Sequence, residues 1–276
     1  MPLTARRHIR KMRGGAQSHL LEADDGHFYV VKFRNNPQHR RILVNEAVSA
    51  VFLKYLQISA AAAGIIQITP EFLAANPDIY LQLGSRRIPV EPGWHFGSRH
   101  PGDPETMAIY DFVPDTLLAG VSNMSDFLGV LVFDKWMSNA DGRQCVFFRA
   151  RVDDWQAEAR KAFVAVMIDH GFVFNGPYWD FTESPAQGLY PRKVVYEQVR
   201  SIDDFEPWLS QVADFPEEEV DKAYRQIPPE WLEGEEEQFE QLLETLLGRG
   251  RRVAELILDA RQSRVNPFPN WTRSGC

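Results

Sequence analysis

The sequence predicts an α+β chain in two lobes, strand-rich first and helical second. Up to about residue 107, short runs rich in β-branched and aromatic residues alternate with Gly, Pro and Asp turns. From Ser125 onward apolar residues recur at helical spacing. Between the two regimes lies Met107 to Pro114, which places the joint near residues 107 to 120. At 276 residues, 44% hydrophobic and 25% charged, the chain can bury a sizeable core.

Bulk properties exclude several classes. No apolar run is long enough for a membrane span. A net charge of -8 argues against a nucleic-acid surface, since phosphate contact needs a basic stripe. Two cysteines, Cys145 and Cys276, make no disulfide framework, and the basic start lacks the apolar core of a signal peptide. The expected compartment is the cytoplasm. The basic residues at positions 6 to 13 read as a solvated face or a helix end.

Gly14-Gly15-Ala16-Gln17-Ser18 precedes a strand, an Asp24-Asp25-Gly26 turn and a second strand, His27 to Phe33. Paired glycines serve either as a plain turn or as a loop whose N–H groups cradle an anion. Lys32 lies inside the apolar second strand, either snorkelling at an edge or aimed into a cleft. Arg41 to Leu56 is a helix with an apolar stripe at 44, 48, 51, 52, 55 and 56. Glu46 falls beside that stripe, on a solvated face or in a partly buried ion pair. Further strands are expected at Ile65 to Thr69, Ile79 to Leu83 and Trp94 to Gly97.

A helical run, Phe127 to Phe133, leads into a polar loop, Asp134 to Gln144, and a strand beginning at Cys145. Polar groups crowded between buried elements are costly unless something uses them. The loop offers Asp134, Asn139, Asp141 and Gln144, with Asn139 and Gly142 also able to serve as turn residues. After a run at Ala157 to Phe163, an apolar strand ends in Asp169-His170-Gly171, a turn or a carboxylate set at a strand end. Helices follow at Ile202 to Ala213, Glu217 to Gln226, Glu235 to Gly250 and Arg251 to Gln262, and the tail from Pro267 is expected to be partly ordered.

In chain order, a glycine loop, strand lysine, helix glutamate, Asn/Asp loop and Asp-x-Gly follow the parts of the protein kinase-like fold. The sequence resembles the HipA-like kinases, the bacterial branch of that fold related to the HipA toxin kinase. The residues that carry this are Gly14 to Ser18, Val30-Val31-Lys32-Phe33, Asn45-Glu46, Phe133-Asp134-x-Trp136-x-x-Asn139-x-Asp141 and Ile168 to Gly171. Ile227 to Trp231 and the Arg249 to Arg252 helix add to it.

The resemblance implies a bilobal α+β protein kinase-like fold, with residues 1–112 as a nucleotide-covering lobe and 113–276 carrying the catalytic and metal loops. It implies ATP with Mg²⁺ and transfer of the γ-phosphoryl group to an acceptor, a protein Ser/Thr or a small molecule. Gly14, Gly15, Ala16, Gln17 and Ser18 would cover the phosphates, Lys32 would bind them, and Glu46 would orient Lys32. Asp169 would hold Mg²⁺. Two registers compete for the catalytic acid. Asp134 has the family's five-residue spacing to Asn139, whereas Asp141 occupies the acid's place in an Asn-x-Asp loop. With Asp141 as the acid, Asn139 or Gln144 is the amide ligand and Asp134 supports the loop. The irregular loop leaves a second reading, a pseudokinase that binds nucleotide without turnover. A third is a regulatory partner that docks another protein through its C-terminal helices.

Overall fold

The computed structural model describes residues 1–152 and 160–272. Cys276 and the start of the expected 157–163 run lie outside the described residues. In the strand-rich part the strands are β1 (Leu3–Lys11), β2 (His19–Ala23), β3 (Phe28–Lys32), β4 (Ala63–Ile68), the hairpin pair β5 (Tyr80–Leu83) and β6 (Arg86–Pro89), and β7 (Gly93–Arg99). Five of them close into a barrel in the order β1-β2-β3-β7-β4, with β1 and β4 parallel. Leu21, Val31, Phe33, Ile66 and Ile68 fill its interior and are at most 1% exposed.

The basic run at the N-terminus is strand through Lys11, not a helix end, and its arginines form a solvated face. Ala5 is buried while Arg6, Arg7 and Arg10 are exposed. The pairing of β1 with β2 slips at two points, which breaks the two-residue alternation that marks a strand.

Helix α1 (Arg41–Tyr55) sits where the barrel meets the helical part, and ten of its fifteen residues are buried, Glu46 among them. Its expected polar side is therefore covered as well. The short α2 (Pro70–Ala75) follows β4, its first turn capped by the Thr69 hydroxyl accepting from the Phe72 N–H at 3.1 Å.

After α3 (Asp115–Leu118), α4 (Asp126–Trp136) is buried along its whole length, its apolar centre from Phe127 to Phe133 flanked by the buried charges of Asp126, Asp134 and Lys135. It leads through the polar loop into an antiparallel hairpin, β8 (Gln144–Val152) and β9 (Arg160–Ile168), whose register sets Gln144 opposite Ile168. The expected helix over 202–213 is a 3-10 turn, Ile202–Phe205, and then α5 (Trp208–Ala213), because Pro207 has no N–H to continue the first turn. The chain continues through α6 (Glu217–Gln226), α7 (Pro229–Leu232), α8 (Glu236–Arg249) and α9 (Val253–Gln262). Beyond α9, Phe268 is 1% exposed and packs on Tyr196, Phe205 and Trp271.

The two parts are pinned together at α7. The Trp231 indole N–H donates to the Trp94 carbonyl at 3.0 Å, and Glu230 accepts from the Trp94 N–H at 3.3 Å.

Candidate active site

Lys32 is the last residue of β3. Its neighbours Val31 and Phe33 belong to the barrel core, so strand alternation turns Lys32 outward, toward α1. There its ammonium donates to Glu46 on α1 and, at 2.7 Å, to Asp169 just past β9. Lys32 is 7% exposed and Glu46 2% exposed, so this is a desolvated cluster. Burial alone would lower the lysine pKa. The charges of Glu46 and Asp169 outweigh it, and the pKa is raised. Burial raises the Glu46 pKa against the pull of Lys32. For Asp169 the order reverses: burial works upward, but Lys32 and then Arg143 hold its carboxyl below the usual value. The Asp169 side chain keeps 36% of its surface open, which makes it the accessible end of the cluster.

Asp169 stands in the left-handed region with φ +58°, an uncommon conformation that short polar side chains tolerate best. The following Gly171 leaves no room for a side chain. A Cβ there would lie 2.5 Å from Ile42 Cγ2 of α1 and 3.5 Å from Glu46 Oε1.

The glycine loop, residues 12–18, joins β1 to β2. Gln17 anchors it: its amide donates to the Gln82 carbonyl and accepts from the Gln82 N–H, both at 2.7 Å, so it pairs with β5 like a peptide. Gly14 and Gly15 stay exposed at the tip, while Ala16 and Ser18 are buried.

The polar loop after α4 contains two acids in opposite settings. Asp134, on the last turn of α4, is 0% exposed. Arg143 grips both of its oxygens, with Nε to Oδ2 at 2.8 Å and Nη2 to Oδ1. Asn139 adds a bond from its amide to Oδ1 at 2.9 Å. Burial pushes the Asp134 pKa up, against the pull of Arg143. Asp134 thus reaches no open surface. The other end of Asn139 is occupied too, since its Oδ1 accepts the Asp141 N–H at 3.1 Å. Asp141, by contrast, is exposed. The Gln144 amide donates to Asp141 at 3.2 Å, and after Lys32 and Arg143 it also helps to hold the Asp169 pKa down, so its side chain stands beside both acids.

Of the residues expected from sequence, the fold brings Lys32, Glu46, Asp169, Gln144 and Asp141 into one continuous set. Asp134 and Asn139 lie behind that set, turned inward. Two residues of evident structural weight were given no role by the sequence, Arg143 and Asn45. Arg143 donates to the Ile168 carbonyl at 2.9 Å and to His170 Nδ1 at 3.0 Å, tying the Asp134 loop to the Asp169 loop. Burial lowers the His170 pKa well below the usual value, with Arg143 and Lys32 adding to it, so its ring is neutral and Nδ1 is free to accept. Asn45 is fully buried within α1. The sequence marks it only beside Glu46, as part of the resemblance.

The profile of one protein family, described as HipA-like kinase, matches residues 6–250. No curated protein matches the chain. Among solved structures, the crystal structure of the Golgi casein kinase superposes with a TM-score of 0.52 at 12% identity, covering 96% of this chain and 74% of that one. The structure of hydra Fam20 with sugar gives a TM-score of 0.52 at 12% identity, covering 96% and 86%. At such identity the likeness is one of fold, and the fold is protein kinase-like.

Proposed function

The chain belongs to the HipA-like kinase family, and on that premise we propose that it is an ATP-dependent phosphotransferase. Residues 1–112 would cover the nucleotide and 113–276 would supply the catalytic and metal loops. The observation that carries this reading is the buried Lys32 ammonium held between Glu46 and Asp169. A lysine fixed there by an α1 carboxylate presents a fixed positive charge to phosphate oxygens, and Glu46 keeps it from wandering. The backbone N–H groups of Gly14 to Ser18 would cover the phosphates from above.

Mg²⁺ favours one or two carboxylates completed by substrate phosphates and water over an all-protein cage. The residues present fit that pattern. Among the described residues no group of three or more His, Cys, Asp or Glu is placed to hold a metal. Asp169 and the neighbouring Gln144 amide would be the protein ligands; turning that amide over would present its oxygen. The bound ion would supply neutralisation of phosphate charge. Asp141 is the exposed acid beside them and would orient the acceptor hydroxyl and take its proton. Asp134 and Asn139, with their polar atoms engaged internally, would shape the loop. A protein Ser/Thr hydroxyl is the acceptor class the resemblance favours, and a small molecule is the alternative. Among the described residues no helix is long and apolar enough to cross a membrane.

The test is a thermal-shift and phosphoryl-transfer assay with Mg-ATP. Nucleotide at about 100 times its Kd should stabilise the wild type by about 2.7 kcal/mol. Lys32→Met should lose most of that shift. Asp169→Asn should lose its Mg²⁺-dependent part and all transfer. Transfer retained by Asp169→Asn rejects the metal assignment.

The inward commitment of Asn139 favours one second reading, a module that binds nucleotide without turnover. It predicts the same thermal shift with no transfer to itself or to any offered acceptor.

A further inference from the structure

The segment that follows Asp169 is fastened to α1 through one side chain. Asn45 shares its two amide hydrogens among the carbonyls of Gly171 at 2.7 Å, Val173 at 3.0 Å and Gly176 at 3.0 Å. Its oxygen accepts the Trp179 indole N–H at 2.9 Å. Asn45 has no exposed surface, and both its donor and acceptor ends are in use. The next residue along α1 is Glu46, which holds Lys32. One turn of α1 therefore sets the lysine with one residue and the chain after Asp169 with the other.

The surroundings reinforce the clamp. Arg41, four residues earlier on α1, lies over the Trp179 ring at 4.3 Å and donates to the Pro177 carbonyl at 2.9 Å. On its far side the segment is sewn to the catalytic loop, with the Phe174 N–H donating to the Met137 carbonyl at 2.7 Å and the Asn175 N–H to Ser138 at 3.1 Å. Phe174, Asn175 and Trp179 all have positive φ, a shape that persists only where the surroundings over-determine it. Moving α1 away would strand three carbonyls and an indole N–H in the interior, and buried polar groups resist that.

Protein kinases commonly order the corresponding segment, and seat the helix bearing the glutamate, by phosphorylation. Here an amide already does both. We propose that Asn45 is a positioning residue that holds the segment after Asp169 on α1, so that Lys32, Glu46 and Asp169 are assembled without a phosphoryl group on that segment. The functional part rests on the phosphotransferase reading; the structural part does not.

Two measurements on phosphatase-treated full-length protein test it. In hydrogen exchange, the amides of residues 173–176 are slow in the wild type. Asn45→Ala speeds them at least tenfold and leaves α4 and the barrel strands protected. In calorimetry with ATP, Asn45→Ala reduces the gain in affinity conferred by Mg²⁺ about tenfold and changes metal-free ATP binding less than twofold. Trp179→Phe, which removes one bond and keeps the ring packing, shifts both readouts in the same direction by a smaller factor and serves if Asn45→Ala does not fold. Unchanged exchange at 173–176, a uniform loss of protection across the chain, or wild-type exchange that slows only after phosphorylation would each overturn the proposal. Failure of the wild type to bind ATP would overturn the phosphotransferase reading and its functional consequence, with exchange still deciding the clamp.

Discussion

Asp134 and Asp141 belong to one loop but sit in opposite solvents. Asp134 is enclosed with a bidentate guanidinium, and removing one partner of such a pair leaves the other charge buried and alone. Asp134→Ala should therefore cost about 3–5 kcal/mol, read as a lowered denaturant midpoint. Asp141→Asn removes an exposed carboxylate and should leave that midpoint within about 0.5 kcal/mol. On the proposed function it should lower kcat by roughly 10²–10⁴ with Mg-ATP affinity preserved. If the two variants exchanged these phenotypes, with Asp141 the stability residue and Asp134 the kinetic one, the register would be the other one. Sequence alone could not divide the two acids, because spacing counts residues along the chain and burial depends on what packs against them. The burial of Asp134 goes with Arg143, which reaches back nine residues to pair with it.

At the scale of elements, β7 carries a buried histidine that makes the barrel acid-sensitive. His95 is 0% exposed, and its Nδ1 accepts the Arg34 N–H at 3.0 Å, which a protonated ring could not do. Burial, helped by the charge of Arg34, lowers its pKa to about 3, against 6.5 for an ordinary histidine. Between those two values the unfolded chain takes up a proton that the folded chain refuses. The stability contributed is complete above about pH 6.5 and falls as pH drops toward 3, by about 5 kcal/mol at full titration. Denaturant midpoints between pH 7 and pH 4 should fall less steeply in His95→Asn, which keeps an acceptor near Nδ1; equal slopes would refute this. Elements with plain periodicity were legible in the sequence: β2, β3, α1, α6, α8 and the β8–β9 hairpin's outer ends. β1 was not, because its pairing slips and its exposed arginines resemble a surface helix. Which of its two settings Glu46 takes, solvated face or buried ion pair, was not legible either, since only tertiary packing covers the polar side of α1.

For the whole molecule, one contact across the joint is made by a large and fully buried residue. Trp231 is 0% exposed and reaches from α7 to the backbone of β7. Trp231→Ala should cost about 3–5 kcal/mol and should separate melting of the barrel from that of the helical part, seen as two calorimetric transitions in place of one. A single transition at lower temperature would mean that α1, which packs on both sides, is enough to couple them. The chain order of glycine loop, lysine, glutamate and acids was readable because it follows the order of parts in the kinase-like fold, to whose HipA-like family the chain belongs. How tightly the parts lock together was not, because the partners of the Asn45 amide are backbone carbonyls and an indole that carry no motif.

The pairing of Gln17 with Gln82 gives the glycine loop a companion. Two hydrogen bonds of 2.7 Å join the loop to β5, and Tyr80, two residues from Gln82, lies beneath the charges of Lys11 at 4.9 Å and Arg87 at 4.3 Å. The loop is thus no free flap: any lowering or lifting of its tip tugs an outlying hairpin on the molecular surface. That hairpin is a lever arm, and a fluorophore on a cysteine at exposed Arg86 would act as a dial for events in the cleft without occupying it.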